Sequence, residues 1–274
     1  MTRLSLHSGS SIPQIGFGTY ATHDPADAVV RAIEAGYRHL DTAQMYGNEA
    51  EVGGGVRRSG IERSELFVTT KLNNGNHDPK TAVESFSTSL EALGMEYVDL
   101  FLIHWPLPQS TETHYVTTWK TLIDLYESGR ARAIGVSNFE PEHLERIIDA
   151  TGVVPDVNQI EVHPYFSNDH VRQYCRELGI VVEAWSPLGR GDEFTDPALV
   201  QIAEGLGVSS AQVILRWHIQ RGDVVIPKSD SVERMQQNLG VLGFELSPAQ
   251  MTAVSALDKG EEGRRGAHPK TFTG

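Results

Sequence analysis

The sequence predicts an α/β fold: an eight-stranded parallel (β/α) barrel of the TIM type, with an N-terminal β-hairpin and extra helices near the C-terminus. The 274 residues suit one barrel of this kind, which needs about 250. About eight short apolar segments alternate with segments of helical character, as strands and helices do in such a barrel. Ionisable residues end several apolar segments, and strand ends are where these barrels carry their active sites.

The strand candidates are short and apolar. Two segments near the N-terminus, residues 4–6 and 12–14, flank a Ser-Gly-Ser-Ser turn and predict the hairpin. The later candidates are continuously apolar rather than alternating, which fits strands that are covered on both faces. They are residues 15–18, 39–41, 66–70, 98–104, 131–136, 154–161, 180–184 and 224–226.

Proline after a capping residue marks the start of five predicted helices. Asp24-Pro25 opens a helix that ends at Gly36, and glycine is a common helix stop. The other openings are Asp78-Pro79, with its end at Leu93-Gly94, Glu140-Pro141, with its end near Thr151-Gly152, and Asp196-Pro197 and Ser247-Pro248.

A run of three glycines, Gly53, Gly54 and Gly55, lies where a helix after Tyr46 is expected. Each glycine costs a helix about 1 kcal/mol relative to alanine. The run does not match the P-loop pattern, and it does not lie between a strand and a helix N-terminus. We therefore expect close helix packing or a frayed turn at this run, and no chemistry.

Composition limits the class of protein. The chain is 39% hydrophobic and 22% charged, as soluble globular proteins are, and nothing divides residues 1–274 into more than one domain. Its net charge of −13 argues against nucleic acid and anionic membranes as partners. Without an apolar leader or a run of membrane-spanning length, we expect a cytoplasmic protein, and we expect it to be a monomer. Cys175, the only cysteine, excludes an intrachain disulfide and is expected to be buried and unreactive.

Four ionisable residues are the candidates for catalysis. Asp41 and Tyr46 lie in or just after the segment His39-Leu40-Asp41, while Lys71 and His104 end the next two strand candidates. Each residue alone is more often a cap or a solvated polar group. Because strand ends converge on one face of a barrel, their occurrence at successive strand ends favours a shared active site.

Eight motifs resemble, in order and spacing, those of the aldo-keto reductase family, and the resemblance covers nearly the whole chain. It is closest to the bacterial diketogluconate reductase-like members. The motifs are Gly16-Phe17-Gly18-Thr19, the segment 39–49, Thr70-Lys71-Leu72, Ile103-His104-Trp105-Pro106, Gly135-Val136-Ser137-Asn138-Phe139, Asn158-Gln159-Ile160-Glu161, Trp185-Ser186-Pro187-Leu188-Gly189 and Ile226-Pro227-Lys228-Ser229.

The resemblance implies NADPH-dependent interconversion of carbonyls and alcohols, and catalysis by Asp41, Tyr46, Lys71 and His104. We expect no metal, because the histidines show no H-E-x-x-H or comparable ligand spacing. The resemblance implies that Ser137, Asn138 and Gln159 hold the nicotinamide carboxamide, that the ring stacks on Trp185, and that Ser186, Leu188 and Gly189 line the pyrophosphate. It also implies that Lys228, Ser229 and Arg234 meet the ribose 2′-phosphate and that Asn238 meets the adenine. Gln237 departs from the glutamate common in the family.

The residue types suit proton transfer to a carbonyl. A lysine cation ~4 Å from a tyrosine stabilises the phenolate by up to ~4 kcal/mol at an effective dielectric of ~20. That lowers a pKa of about 10 by as much as about three units, and burial opposes the fall. We expect Tyr46 to be the general acid and Asp41 to keep Lys71 charged. His104 is expected either to orient the carbonyl or to share in the proton relay. Phe17, Tyr20 and Trp105 are the expected apolar wall of the substrate site, beside His104.

Two other functions remain open from the sequence. Lys71 at a strand end also suits a Schiff-base aldolase, although Asp41 opposes the free amine that this chemistry needs. A non-catalytic NADPH-binding protein on the same scaffold is the second alternative. Keto-sugars and small dicarbonyls are candidate substrates, to be selected by loops 107–114 and 189–194 and the tail 260–274. Arg264 and Arg265 in that tail suit the attraction of an acidic or hydroxylated substrate, but we expect the tail to be solvated.

Overall fold

Eight parallel strands form the centre of the fold in a computed structural model, which describes residues 2–109 and 114–274. Each strand pairs with the next along the chain, and a bridge between Ile15 and Val225 joins the last strand to the first, so the barrel closes. The hairpin strands are β1 (Arg3–Ser5) and β2 (Ser11–Pro13). The barrel strands are β3 (Phe17–Gly18), β4 (His39–Asp41), β5 (Phe67–Leu72), β6 (Leu100–Ile103), β7 (Ile134–Ser137), β8 (Val157–Glu161), β9 (Val181–Trp185) and β10 (Val224–Val225).

The antiparallel hairpin β1–β2 closes the end of the barrel at which the strands begin. Leu6 and Ile12 pack there against the first residues of the strands, including Phe67 and Val157. The backbone N–H of Ser8 also donates to the carboxylate of Asp156, over 2.8 Å. With this end covered, the strand C-termini form the open face of the molecule.

Ten helices are present in the described residues, and all five predicted openings are helix starts. The predicted starts are correct because the residues before the prolines cap the helices: the Asp24, Asp78 and Asp196 side chains accept hydrogen bonds from backbone N–H groups of the first turns. The helices are α1 (Pro25–Ala35), α2 (Glu49–Ser59), α3 (Pro79–Leu93), α4 (Tyr115–Glu127), α5 (Pro141–Thr151), α6 (Asp169–Glu177), α7 (Pro197–Leu206), α8 (Ser210–Arg221), α9 (Val232–Leu239) and α10 (Pro248–Ser255).

The three glycines lie inside α2 and allow close helix packing, as one of the two sequence alternatives predicted. A Cβ atom at Gly53 would collide with the carbonyl oxygen of Leu93 at the end of α3. A Cβ atom at Gly55 would lie 2.5 Å from the carbonyl oxygen of Ala26 in α1. Gly54 between them faces outward and has no neighbour closer than the Arg57 guanidinium, at 4.0 Å.

Cys175 is fully buried in α6, as predicted. Burial raises the pKa of its thiol to about 12, so the reactive thiolate form is strongly disfavoured. This agrees with the prediction of an unreactive cysteine.

Within the described residues, no single helix is long and apolar enough to cross a membrane. The pair α7 and α8 reaches that length and composition only when the two are counted together, and the chain bends by 90° between them.

Candidate active site

Asp41, Lys71 and Tyr46 meet at the open face of the barrel. Asp41 ends β4, Lys71 lies on the neighbouring β5, and Tyr46 lies on a short 3-10 turn after β4. The Lys71 Nζ atom donates to Asp41 Oδ1 at 2.7 Å, to the Thr42 carbonyl at 2.9 Å and to the Tyr46 hydroxyl at 3.2 Å. The three residues predicted from strand ends are therefore one hydrogen-bonded group.

The turn that carries Tyr46 is anchored to the end of β5 by Gln44. The Gln44 side-chain oxygen accepts from the Asn73 backbone N–H at 2.8 Å, and its amide donates to Ser89 Oγ at 3.0 Å. The first bond connects the turn to the end of β5, the strand that carries Lys71, and the second connects it to α3. They fix the phenol relative to the ammonium group.

Burial and charge determine the protonation of this group. Burial alone would lower the pKa of Lys71, but the negative charges of Asp41, Tyr46 and Glu183 outweigh it and raise that pKa above its ordinary value. For Tyr46, burial raises the pKa above 10, and Lys71 only partly offsets that rise. The net fall expected for the Tyr46 pKa is therefore wrong for this structure, because loss of water outweighs the attraction of Lys71.

His104, just after β6, lies edge-on to the Tyr46 ring, with the ring centroids 5.9 Å apart. Burial and then the positive charge of Lys71 lower the pKa of His104 to about 3, so the imidazole is neutral. The Asn138 side chain donates to the His104 carbonyl oxygen at 2.9 Å and holds that strand end. A neutral imidazole beside the phenol can donate an N–H to a substrate oxygen, which suits the predicted orienting role.

A second buried carboxyl group, that of Glu183 on β9, lies beside this site and was missed by the sequence interpretation. Gln159 Nε2 donates both to Asp41 Oδ2, at 2.8 Å, and to Glu183 Oε2, at 2.7 Å. The signal in the sequence was the single glutamate within the apolar run Val181-Val182-Glu183-Ala184. A charged residue there is unusual for a strand that is covered on both faces.

A long cleft of about 1230 Å³ opens beside these residues at the strand C-termini. Asp41, Tyr46 and His104 line it, whereas Lys71 is buried behind them. The other predicted site residues that line it are Tyr20, Trp105, Ser137, Asn138, Gln159, Trp185, Ser186, Leu188, Lys228, Ser229, Arg234 and Asn238.

Two predicted contact residues lie outside the cleft. Phe17 is fully buried in the core against Tyr37, with ring centroids 5.8 Å apart, so its assignment to the substrate wall is wrong. Strand alternation explains this, because its neighbour Gly18 is the residue that faces the cleft. Gly189 is buried too, and the Glu193 carboxyl fills the space next to its Cα.

The middle of the cleft fits the predicted nicotinamide carboxamide. Both Gln159 N–H donors bind carboxyl groups, so its side-chain oxygen is the atom left to accept from a ligand N–H. The Asn138 oxygen accepts from Trp185 Nε1 at 2.8 Å, which fixes the indole ring at the edge of the cleft. A fixed aromatic face and an oriented amide oxygen are the groups that a flat carboxamide-bearing ring needs.

One end of the cleft carries cationic side chains at the start of α9, which fits a phosphate group. Lys228 contacts Asp230, so its charge is already balanced by an acid. Arg234 is exposed and has no carboxylate within 4.0 Å among residues 2–109 and 114–274. Arg234 is therefore the better-placed of the two cations for a phosphate.

The tail is folded onto the site, and the prediction that it is solvated is wrong. The backbone N–H groups of Arg265 and Gly266 donate to the Glu161 carboxylate at 2.6 and 2.8 Å. Phe272 packs against Trp105, with the rings tilted by 46° and their centroids 4.4 Å apart, and both side chains line the cleft. A Cβ atom at Gly266 would collide with the Trp185 ring, so the tail passes close to that ring.

The arginines of the tail bind acids within the chain, so neither is free to attract a substrate. Arg264 pairs with Glu261, and Arg265 Nη2 lies 3.0 Å from Asp192 in the loop after β9. His163 links the same loop to the end of β8, because its Nδ1 lies 2.5 Å from Glu193 and its Nε2 lies 3.2 Å from Glu161. The tail and the 189–194 loop therefore form one connected rim, and sequence reasoning found neither link. Of the third predicted loop, 107–114, residues 110–113 lie outside the described residues.

The fold and the site are those of (β/α)8 barrel enzymes, whose active sites lie at the C-terminal ends of the strands. A family model described as the Aldo/keto reductase family matches residues 13–259. An aldo-keto reductase of Mycolicibacterium smegmatis is 46% identical over 272 residues, which cover 98% of each chain. Morphine 6-dehydrogenase of Pseudomonas putida is 45% identical over 94% of this chain and 91% of that relative.

A crystal structure of a Gox0644 mutant in complex with NADPH has a TM-score of 0.93 at 44% identity, over 99% of this chain and 98% of that chain. The chain therefore belongs to the aldo-keto reductase family. The predicted barrel fold, enzyme class and NADP(H) cofactor are confirmed at the level of that family.

Proposed function

We propose that this protein reduces aldehydes or ketones to alcohols, with NADPH as the hydride donor and Tyr46 as the general acid. The observation that carries the proposal is the placement of Lys71 Nζ. It lies 2.7 Å from Asp41 and 3.2 Å from the Tyr46 hydroxyl at the edge of the cleft. A phenol next to a fixed cation can release its proton to an oxygen on which negative charge develops.

Each residue has a defined part in the reduction. NADPH, when bound, supplies the hydride that is added to the carbonyl carbon. Tyr46 donates its proton to the carbonyl oxygen, and Lys71 stabilises the phenolate that remains. Asp41 keeps Lys71 charged, and neutral His104 orients the carbonyl through an N–H donor. In the reverse direction the Tyr46 phenolate takes the proton of the alcohol.

The mouth of the cleft favours carbonyl compounds with an apolar or aromatic substituent. Tyr20 and Met45 are exposed at this mouth, at 65% and 44%, and Trp105 and Phe272 form its aromatic wall. Contact with a hydrocarbon or an aromatic ring removes more apolar surface of these side chains and of the substrate from water than contact with a polyhydroxylated chain does, so the binding free energy is more favourable. Keto-sugars and small dicarbonyls stay in the candidate set, because the polar site beside the mouth accepts any carbonyl.

Consumption of NADPH with a panel of carbonyl compounds tests the proposal. The panel contains aromatic aldehydes, small dicarbonyls such as methylglyoxal, and keto-sugars. We expect turnover with NADPH and a kcat/KM for aromatic aldehydes at least roughly tenfold above that for keto-sugars, the scale on which apolar contacts discriminate. No turnover with any member would contradict the proposal, and a preference for keto-sugars would contradict the substrate assignment.

The Schiff-base aldolase alternative predicts a covalent bond at Lys71. Reduction with borohydride in the presence of a carbonyl substrate would then leave a stable adduct on that side chain. We expect no adduct, because Lys71 is charged and all three of its N–H groups are bound. An adduct together with turnover that consumes no NADPH would establish the aldolase. NADPH binding without turnover of any carbonyl would instead favour the non-catalytic alternative.

We also propose that the protein is a single-domain cytoplasmic monomer. The net charge of −13 supports the absence of nucleic acid and anionic membrane among its partners. Light scattering of the purified protein tests the monomeric state, and a mass of two or more chains would contradict it.

A further inference from the structure

The carboxyl group of Glu183 lies inside the barrel and has no part in the chemistry described above. Its side chain is fully buried, and only one of its two oxygens has a hydrogen-bond partner in the described part of the chain. Glu183 Oε2 accepts from Gln159, and Oε1 lies 3.5 Å from His39 Nε2. Burying a carboxyl group with so few hydrogen bonds lowers the stability of the folded protein, which indicates that Glu183 has a functional role.

The geometry shows what Glu183 does to Gln159. Asp41 on one side and Glu183 on the other accept the two N–H donors of a single amide, at 2.8 and 2.7 Å. If the amide rotated by half a turn, its oxygen would face the Asp41 carboxylate, which has no proton to donate, and that hydrogen bond would be lost. Asp41 thus fixes the amide with its oxygen toward the cleft, and Glu183 holds the second N–H.

We propose that Glu183 is a positioning residue for the reductase reaction: it orients Gln159 toward the nicotinamide, and its ionisation sets the charge that Lys71 and Tyr46 experience. The proposal rests on the proposed function, because it assigns to Gln159 a cofactor contact. It requires that Glu183 carry a proton at neutral pH. Asp41 and Lys71 are then the charged pair that the described part of the chain places beside Glu183.

The groups that face Glu183 favour its protonated state at neutral pH. From β4 the neighbours are Asp41 and His39, from β5 Lys71, and from β8 the uncharged Gln159. Burial and then the charge of Asp41 raise the pKa of Glu183 to about 8. Burial lowers the pKa of His39 to about 3, so His39 is neutral and forms no ion pair with Glu183.

Loss of the Glu183 proton has a defined consequence for the reaction. It places a second negative charge beside Asp41, so Lys71 faces two carboxylates as well as the phenol. The added charge repels the Tyr46 phenolate and raises the pKa of Tyr46 further, which makes Tyr46 a weaker acid. Carbonyl reduction should therefore decline as pH rises through about 8, well below the pH at which Tyr46 itself ionises.

Two substitutions separate the effect of Glu183 on the orientation of Gln159 from the effect of its negative charge. Glu183→Gln keeps the shape and an acceptor for Gln159 but cannot ionise, whereas Glu183→Leu removes the acceptor as well. Asp156→Asn is the matched control, because Asp156 is a buried carboxyl group at the opposite end of the barrel whose pKa is also raised by burial. Each protein is assayed for kcat between neutral and alkaline pH and for NADPH affinity by fluorescence.

We expect Glu183→Gln to lose the decline near pH 8 that wild type and Asp156→Asn show. Glu183→Leu should bind NADPH about tenfold more weakly at every pH, because Gln159 is no longer held. An unchanged alkaline decline in Glu183→Gln, or wild-type NADPH affinity in Glu183→Leu, would overturn the proposal.

An infrared measurement tests whether the Glu183 carboxyl group is protonated, without any assay of turnover. At neutral pH the wild-type protein should show a protonated-carboxyl band that is absent from Glu183→Gln and retained in Asp156→Asn. If that band is missing from wild type, Glu183 is ionised and the proposal fails. If wild type reduces no carbonyl at all, the proposed function fails. The infrared band then still tests whether Glu183 is protonated, and the NADPH affinity still tests whether it orients Gln159.

Discussion

Lys71 forms three hydrogen bonds, which is the full donor capacity of an ammonium group. One partner is the Asp41 carboxylate, one is a backbone carbonyl, and one is the Tyr46 hydroxyl. This arrangement holds the cation at a fixed position beside the phenol before any ligand binds. Such preorganisation is the main source of electrostatic stabilisation in enzyme sites, because no reorientation is needed during the reaction.

At the residue scale, Arg234 provides a test of cofactor choice. It lies in the first turn of α9 and lines the cleft, whereas Lys228 already pairs with Asp230. We expect Arg234→Ala to weaken NADPH by about 1.5–3 kcal/mol, the range for hydrogen bonds to charged groups, and to leave NADH almost unchanged. Lys228→Ala should cost less, since Asp230 competes with the phosphate for that cation. Titration of both cofactors by fluorescence measures the effect.

Arg176→Ala, which removes an exposed arginine from α6, is the control for the loss of one positive charge. It should change neither cofactor's affinity. Equal losses for NADPH and NADH in Arg234→Ala would mean that the 2′-phosphate binds elsewhere.

At the scale of the elements, the glycines of α2 offer a matched pair of substitutions. Gly53→Ala places a methyl group against the Leu93 carbonyl and should destabilise the protein by about 1–3 kcal/mol, as overpacking does. Gly54→Ala fills open space and should stabilise it by up to about 1 kcal/mol through helix propensity. Urea unfolding of both variants measures the free energies. A stable Gly53→Ala protein would contradict the close contact of α2 with α3.

Elements defined by local chemistry were predictable from the sequence. The Asp-Pro and Glu-Pro openings and the glycine stops act within one helical turn, so α1, α3 and α5 are where the sequence places them. The strands were predicted as segments, with ends displaced by up to three residues. Asp41, Lys71 and Tyr46 were found because strand ends in a barrel converge whatever lies between them.

Features that depend on distant partners were not predictable. The tail binds Glu161 across 105 residues at Gly266, and nothing in a glycine-rich polar sequence reveals that acceptor. Phe17 was misassigned because a two-residue strand has too few positions to show which face is buried. Net pKa directions for buried groups also require the structure, since the loss of water at Tyr46 exceeds the effect of Lys71.

At the scale of the whole molecule, buried neutral histidines predict sensitivity to acid. Burial lowers the pKa of His39 and His104 to about 3 and of His77 and His143 to about 4. The unfolded chain binds protons near pH 6.5 and the folded chain does not. Stability should therefore fall as pH decreases from about 6.5 toward 4. Glu183, whose pKa is raised, acts in the opposite direction over this range, whereas the raised pKa of His163 affects stability only above pH 6.5.

The variant His77→Gln isolates one member of this set. Wild type should lose about 2 kcal/mol relative to His77→Gln between pH 7 and pH 5, at about 1.4 kcal/mol per unit of pKa difference. Urea unfolding at the two pH values measures the change. His170→Gln, an exposed substitution on α6, controls for the change of residue type. A stability difference between His77→Gln and wild type that is equal at both pH values would show that His77 does not resist protonation.

Single-turnover NADPH oxidation in wild type and Tyr46→Phe is the most direct test of the central claim that Tyr46, held by Lys71, donates the proton. We expect the rate to fall by about 10²–10⁴-fold, the usual contribution of a positioned acid, while NADPH affinity stays within about twofold. Tyr126→Phe, which removes an exposed hydroxyl from α4, should match wild type. If Tyr46→Phe retains most of the wild-type rate, Tyr46 is not the acid and His104 becomes the first alternative.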